Sequence, residues 1–540
     1  MFALVLVSLL LLGGLTALSG ARLDPADFTF ANATEPESLD PKVVSGVPEG
    51  RVLRTILEGL TNLDPKTLAP IPGMAESWKI SKDRRTYTFR IRKDAKWSDG
   101  SPLTAFDFLY SWKRFLDPEN PATYVSFLYY VENAKAYVNG DIEDFEKVGL
   151  KAQDRQTFVV KLAYPTPYFL QIAAFYPLFP VHRKTVERFP RDWHHPRNLV
   201  TNGPFKIQIR SIRDRIRCVK NPHYWDAENV KLNTLDILAV EDQNTRLNLY
   251  LTGVVDWIDD VPNHVIPALK KRADFRNTTY LGIYFYRVNT KHKDPVKRRF
   301  LGDPRVRLAL YLAMDRAAIC ERVTKAGEEP ARSLCPVKLE DYSSYQVPML
   351  PDRDVERAKK LLGEALEDLG LDEAPSLTIL YNTNETHKQI AEVLQDTWAR
   401  TLGLRIRLDN QEWQTYLSSQ ENLTYDLCRA GWIGDYNDPN TFLDLLLSDN
   451  TNNRTGYASK DYDDLIHAAE REPDPEQRLR ILEKAEKLLL TDLPVLPIYY
   501  YVTKNMVRPW VKGFHDNLQN VHPMKFFSID AGMKARTPVN

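Results

Sequence analysis

GMAESWKISKDRRTYTFRIRKDAKWSDGSPLTAFDFLYSWKR, residues 73–114, is the stretch on which the fold turns. Inside it RTYTFRIR alternates: Tyr87, Phe89 and Ile91 point one way and Thr88, Arg90 and Arg92 the other, the period of two expected of a strand with one buried face. The same period recurs in FVVKL (158–162) and FKIQI (205–209). Helical periodicity is equally plain in DPRVRLALYLAMDRAAICERV (303–323), where Asp303 and Pro304 supply an N-cap and a first-turn proline. DVERAKKLLGEALEDLG (354–370) and EQRLRILEKAEKLLLTD (476–492) repeat that pattern. Strands and helices are interleaved along the whole chain, which predicts an α/β or α+β architecture. No internal repeat or low-complexity linker interrupts them, so the lobes are expected to be joined by strand crossings and not by floppy tethers.

A chain of 540 residues is too long for one compact core and should divide into two or three lobes. Its 72 Lys and Arg balance 72 Asp and Glu, and no basic stripe is present to neutralise a phosphate backbone, which argues against nucleic acid as a partner. MFALVLVSLLLLGGLTALSGA (1–21) carries no charge and reads as a secretory signal segment, with cleavage expected after Ala21. Neither a Lys or Arg ahead of the apolar run nor a lipid-accepting cysteine after it is present. An uncleaved anchor is the other reading, because about 18 apolar or small residues is borderline for spanning a bilayer.

The cysteines Cys218, Cys320, Cys335 and Cys428 have no CxxC or metal-ligand spacing. Buried small residues are the expectation, with a Cys320–Cys335 bridge conceivable in an oxidising compartment but not decided by spacing. No GxSxG, HExxH, GxxxxGK[ST] or GxGxxG motif occurs, which lowers the expectation of an enzyme and points to no cofactor or metal. His194 and His195 read as loop residues, since adjacent histidines seldom share an ion. In RAGWIGDYNDP (429–439) Asp435 stands between Trp432 and Tyr436. A carboxylate among rings is costly to bury unless a cation meets it, yet on residues alone a turn-capping aspartate is the ordinary reading.

Several segments, in one order along the chain, resemble the oligopeptide-binding proteins, the extracytoplasmic receptors of peptide ABC importers (solute-binding protein family 5). They are ESLDPKVVSGVPEG, the long 73–114 stretch, VTNGPFKI, DPRVRLALYLAMDR, NQEWQTYL, RAGWIGDYNDPNTFL and LPIYYYVTKNMVRPWVKGF. The resemblance implies an α/β, periplasmic-binding-protein-like fold (type II, cluster C) of two large hinge-closing lobes plus an extra third lobe. The expected divisions are lobe I from 22–57, 182–285 and 503–540, lobe II (the extra lobe) from 58–181, and lobe III from 286–502.

The same resemblance assigns the site. Asp435 is expected to form a salt bridge with the free amino terminus of a bound peptide. Trp432 and Trp413 would wall side-chain pockets, with Gly431 beside them in contact with ligand. Tyr124 and Tyr501 match cleft tyrosines, although Tyr499, Tyr500 and Tyr501 read equally well as a strand with alternate rings in the core. Val47 matches a strand whose backbone pairs with the peptide main chain, a mode that ignores side chains. Arg429 and His387 would meet the peptide carboxylate. The chain also departs from the pattern: Gln420 replaces an arginine that serves short peptides, the matching lysine falls near Thr324 or Lys325, Ser45 replaces a glutamate, and Gly282 and Ile433 replace two cysteines bridged in some members. Peptide length preference is what these departures leave open, with tri- to pentapeptides expected ahead of dipeptides. The function implied is capture of oligopeptides with little sequence specificity and delivery to a membrane permease, by a monomer that performs no covalent chemistry. A same-fold receptor for a metal chelate or oligosaccharide, or an exported hydrolase, is the alternative.

Overall fold

The computed structural model describes residues 23–336 and 349–536; the apolar segment at 1–21 lies outside the described residues. Strand Thr86–Ile91 buries Tyr87, Phe89 and Ile91 and leaves the residues between them half-exposed, as its alternation predicts. It sits in a four-stranded sheet of order Ala75–Ile80, Thr86–Ile91, Thr157–Lys161, Leu150–Ala152. The buried face packs on aromatic side chains, with Tyr87 against Phe169 at 4.8 Å and Phe158 edge-on to Trp112 at 5.3 Å.

Two larger sheets carry the rest. The seven-stranded sheet has the order Phe275–Arg276, Asn505–Val507, Trp257–Ile258, Phe28–Asn32, Thr234–Ala239, Arg215–Lys220, Phe205–Ser211. Phe28–Asn32 runs parallel to both of its neighbours. The six-stranded sheet has the order Glu329–Pro330, Val495–Val502, Thr279–Val288, Leu427–Ile433, Leu377–Asn382, Ile406–Gln411. Its central strand Thr279–Val288 reads as an unbroken apolar run because both faces are covered: Leu281, Ile283 and Phe285 enter one core, and Tyr284, Tyr286 and Val288 the other. This strand extends across residue 285 and its ladder belongs wholly to the six-stranded sheet.

The chain passes between the two large sheets at 276–279 and again at 502–505. These passages are hydrogen-bonded to each other, Thr503 N–H donating to Thr278 O at 2.8 Å and Asn277 Nδ2 to Thr503 O at 2.7 Å. Two adjacent crossings of this kind are the geometry of a hinge.

The helix expectations hold with one correction. Asp354 caps Val355–Leu369, which ends at Gly370 with φ 65°, and Asp474 caps Pro475–Asp492. The run 303–323 is not one helix: Asp303 caps Pro304–Ala313, the chain turns extended at Met314, and Asp315 caps a new turn that continues as a π-helix, Ile319–Thr324. A second capping aspartate inside the run competes with helix continuation, and the fully buried Met314 rewards the break by packing. All four cysteines are buried and free, so Cys320 and Cys335 are not bridged. Tyr499 and Tyr500 divide between the two cores, as period two requires. His194 lies edge-on to Trp193 in a turn. Among the described residues no group of three or more His, Cys, Asp or Glu is placed to hold a metal ion, and no helix is long and apolar enough to cross a membrane.

Candidate functional site

A cavity of about 400 Å³ lies beside the crossings, lined from the regions of the two larger sheets and of the four-stranded one. Every residue that the resemblance assigns to ligand contact lines it: Val47, Tyr124, His387, Trp413 and Arg429 from separate parts of the chain, then Gly431, Trp432, Asp435 and Tyr501.

Strand Leu427–Ile433 positions most of the wall, because it ends in a turn held from two sides. Gly434 N–H donates to Leu281 O at 2.7 Å, and Gly434 O accepts from Gln519 Nε2 at 2.8 Å. Asp435 follows, its N–H donating to Thr441 Oγ1 at 3.0 Å. Its Oδ2 is sealed from solvent with no hydrogen-bond partner. Burial, and secondly the neighbouring Asp444, push this carboxyl well above the usual range, against the pull of Arg54. The turn-capping work belongs to Asp438 instead, which accepts from Asn440 N–H at 2.9 Å and pairs with both terminal nitrogens of Arg478 at 2.8 Å. Tyr436 leaves the site altogether, stacking on Tyr168 at 4.2 Å in the core.

At the other end of the strand Arg429 donates to Tyr501 Oη at 2.9 Å and to Asn382 Oδ1 at 3.3 Å, and lies 4.8 Å over the Tyr284 ring. No carboxylate of the described residues pairs with it, and its Nε has no partner. Gly431 makes this contact accessible: a Cβ there would stand 2.6 Å from Tyr501 Oη. His387 opens helix Glu385–Leu402, capped by Asn384. Burial, with Arg429 and Lys504 nearby, pushes its imidazole well below the usual range, so at neutral pH it is an uncharged donor or acceptor and not a cation.

The aromatic wall spans the lobes. Tyr124 is 6.4 Å from Trp432 and edge-on to Phe175 at 5.2 Å. Trp413 stacks on Tyr416 at 5.6 Å and reaches across to Glu49 Oε1 at 3.4 Å. Glu49 is fully buried, its Oε2 has no partner, and burial pushes its carboxyl up to about 7.

Val47 requires a correction. It opens the helix Val47–Ile56 and is not in a strand. Pro48 suits the first helical turn, and Gly46, at φ 138°, turns the chain into it. The residue before it is held across the cleft, where Tyr176 Oη accepts from Gly46 N–H at 3.0 Å and donates to Gly46 O at 3.1 Å.

The substituted positions are also resolved. Gly282 and Ile433 are register partners, and Ile433 Cδ1 fills the space a Cβ on Gly282 would need, 2.5 Å away. Ser45 and Gln420 line the cavity. Thr324 and Lys325 do not: Thr324 Oγ1 is buried on Glu328, and Lys325 sits on a separate shallow cleft with His264 and Glu392. The ammonium that does reach the cavity is Lys504, 3.1 Å from Glu328. Sequence reading also missed Arg54, Tyr176, Tyr280, Arg287 and Arg454, all in the wall. None stands in a motif, and only the fold brings them together.

Comparison with known proteins adds the following. Residues 69–454 match the bacterial extracellular solute-binding proteins, family 5 (middle region). The chain is 37% identical over 510 residues to the periplasmic oligopeptide-binding protein OppA of Salmonella typhimurium, covering 92% of each. The structure superimposes on Haemophilus influenzae OppA in complex with the peptide RPPGFSPFR with a TM-score of 0.88 at 33% identity, covering 94% of this chain and 100% of that one. The Escherichia coli murein tripeptide binding protein MppA, 33% identical, gives a TM-score of 0.87 over 94% and 99% of the two chains. An unliganded open form of MppA gives only 0.61 over 94% and 98%. The lobes here are therefore arranged as in the peptide complex.

Proposed function

The chain belongs to the bacterial extracellular solute-binding proteins of family 5, and from that premise we propose that it captures oligopeptides with little sequence specificity and delivers them to the permease of an ABC importer. One observation carries the reading: Asp435, a carboxylate in an aromatic cavity with no ion pair and with its Oδ2 sealed and unpartnered. A peptide's ammonium would supply the missing charge-assisted hydrogen bonds. Arg429, unpaired at the opposite end of the same strand, would take the terminal carboxylate, with neutral His387 as a hydrogen-bond donor beside it. Trp432, Trp413, Tyr124 and Tyr501 offer broad ring faces that tolerate many side chains, and water can rearrange around those that fit loosely.

The protein acts as an exported monomer without covalent chemistry, its apolar N-terminal segment serving export. Lobe I comprises 22–57, about 182–276 and 503–540; lobe II 58–181; lobe III the remainder to 502. The pairing of strand Thr279–Val288 within the six-stranded sheet supports ending the second piece of lobe I at the crossing and not at 285. Ligand shifts the population from an open to a closed form, as the two TM-scores of MppA and the peptide complex suggest for the fold.

Titration calorimetry with trialanine and N-acetyl-trialanine tests the reading. Trialanine should bind and its acetylated twin should bind at least about a hundredfold more weakly, because acetylation leaves a buried charge without its partner. Equal affinity for the two removes Asp435 as the amine anchor.

A further inference from the structure

Three buried polar groups in the cavity wall remain without a function. Arg287, Asn452 and Arg454 are 4%, 3% and 6% exposed, and all three line the cavity. Arg287 Nε, Asn452 Nδ2 and Arg454 Nε each lack any hydrogen-bond partner. All three are donors, and a cluster of unsatisfied buried donors is costly unless an acceptor arrives. Arg287 Nη1 donates to Asn452 O at 3.0 Å, which ties two of them together. The guanidinium of Arg454 lies near enough to that of Arg287 to repel it.

Carboxylates approach Arg454, Glu37 among them, but none acts on Arg287. Arg454 pairs with Glu421 at 2.6 Å, on the outer side where Glu421 is half-exposed, whereas Arg287 has no ion pair among the described residues. The acidic residues lining the cavity are Asp259, Asp260 and Asp435. Asp259 is engaged by Arg51 and Arg246, at 2.6 and 2.7 Å, and Asp260 by Gln243, so neither is available to Arg287. Asp435 belongs to the other end of the wall. Arg287 stands opposite Cys428 in the ladder, five residues from Ile433, which at strand rise places it roughly 17 Å from the turn that carries Asp435. Space for several extended ligand residues lies between.

We propose that Arg287, Arg454 and Asn452 form an anion subsite that takes the side-chain carboxylate of an aspartate or glutamate in the bound peptide, so that this receptor favours acidic peptides. The proposal rests on the peptide reading above and deepens it. Guanidinium donors match a carboxylate in charge and in planar geometry, and nearby Gln420 adds an amide that neither competes for the anion nor repels it. A lysine or arginine side chain at the same ligand position would meet like charge and be disfavoured.

The test is a glutamate scan. Tetra-alanine peptides carrying one Glu, Gln or Lys at each position in turn are titrated calorimetrically into wild type, Arg287→Gln and Arg287→Lys, with C-terminally amidated forms as a second arm. At one position or two adjacent ones, Glu should bind wild type roughly ten- to a hundredfold more tightly than Gln, with Lys the weakest. That preference should survive amidation, fall to near unity in Arg287→Gln and partly return in Arg287→Lys. Equal binding of the Glu and Gln series to wild type overturns the subsite while leaving peptide capture intact, and it needs no variant to fold. A preference that disappears on amidation assigns the carboxylate to Arg429, and one that persists undiminished in Arg287→Gln removes Arg287 from the subsite; either result also overturns the proposal. Failure of every tetrapeptide to bind wild type would instead remove the peptide reading itself.

Discussion

In the seven-stranded sheet Asp236 and Arg217 are both buried, their side chains 4% and 6% exposed, and they meet through hydrogen bonds of 2.6 and 2.7 Å. In the cavity Asp435 and Arg429 are held on one strand, four residues of its length and a tight turn apart, and neither meets an opposite charge. The difference is not one of local sequence, since Asp438, three residues beyond Asp435, is saturated by Arg478. Desolvating a charge costs several kcal/mol unless a partner and hydrogen bonds compensate. Elsewhere the fold supplies the partner, and in the cavity it holds acid and base apart by strand geometry. A zwitterionic ligand spanning both would complete two pairs at once, which is how a peptide's termini are chemically distinguished from its side chains.

Substitution at the two aspartates should separate these roles most sharply. Asp435→Asn is expected to weaken free-amine tripeptides by about 3–5 kcal/mol, because the ligand's ammonium would be desolvated without an anion. The ligand-free protein should melt no lower than wild type, since a neutral amide replaces a carboxyl whose ionisation burial already disfavours. Asp236→Asn should do the reverse, lowering the melting temperature while leaving calorimetric affinity unchanged. If Asp435→Asn destabilises the free protein as much as Asp236→Asn does, the comparison breaks.

Glu49 tests the unpaired class through pH. Its carboxyl is pushed by burial from an ordinary 4.5 up to about 7. A raised folded value means that the folded protein holds the proton more tightly than the unfolded chain. Its contribution is therefore fully present below pH 4.5 and is lost as pH rises through 7, a change of about 3 kcal/mol. Glu49→Gln keeps an acceptor for Glu37 N–H and Trp413 Nε1. It should accordingly be more stable than wild type in urea at pH 8 and indistinguishable at pH 4.5. Parallel curves at both pH values would show that Glu49 has found a partner after all.

A smaller effect is expected at the basic end. Arg429→Gln retains a donor for Tyr501 but no charge, and should weaken trialanine by about 1.5–3 kcal/mol. C-terminally amidated trialanine should bind the variant and wild type alike. A loss that is the same for acid and amide would assign Arg429 to the architecture of Tyr501 and Tyr284 and not to the ligand.

Much of the chain was legible from periodicity because the responsible forces are local. The buried face of Thr86–Ile91, and the capping aspartates 303 and 354, follow from side-chain alternation and from orphan amides at helix ends. The misses have equally physical causes. A capped break at Asp315 interrupts a run that is amphipathic throughout, and periodicity does not register a cap inside a helix pattern. Val47 was matched to a strand, yet Gly46 at φ 138° and Pro48 start a helix there. Thr324 and Lys325 fall where the resemblance expects a cationic anchor, but the π-helix ends at Lys325 with φ 61° and directs it to another cleft.

By itself the sequence determined the interleaved strands and helices, the apolar start of the chain, and, through resemblance, nine residues that all reach one cavity. Which charges in that cavity lack partners was decided only by tertiary structure. Asp435 and Asp438 are the same residue type in the same short segment, yet only Asp438 has an arginine, Arg478 of a later helix, folded against it. Whether a buried ion finds its counterion depends on which distant strand or helix is folded against it, and desolvation is a property of that enclosure. Arg287, unremarkable in a strand of alternating tyrosines, becomes an unsatisfied cation only when the loop carrying Asn452 and Arg454 closes over it.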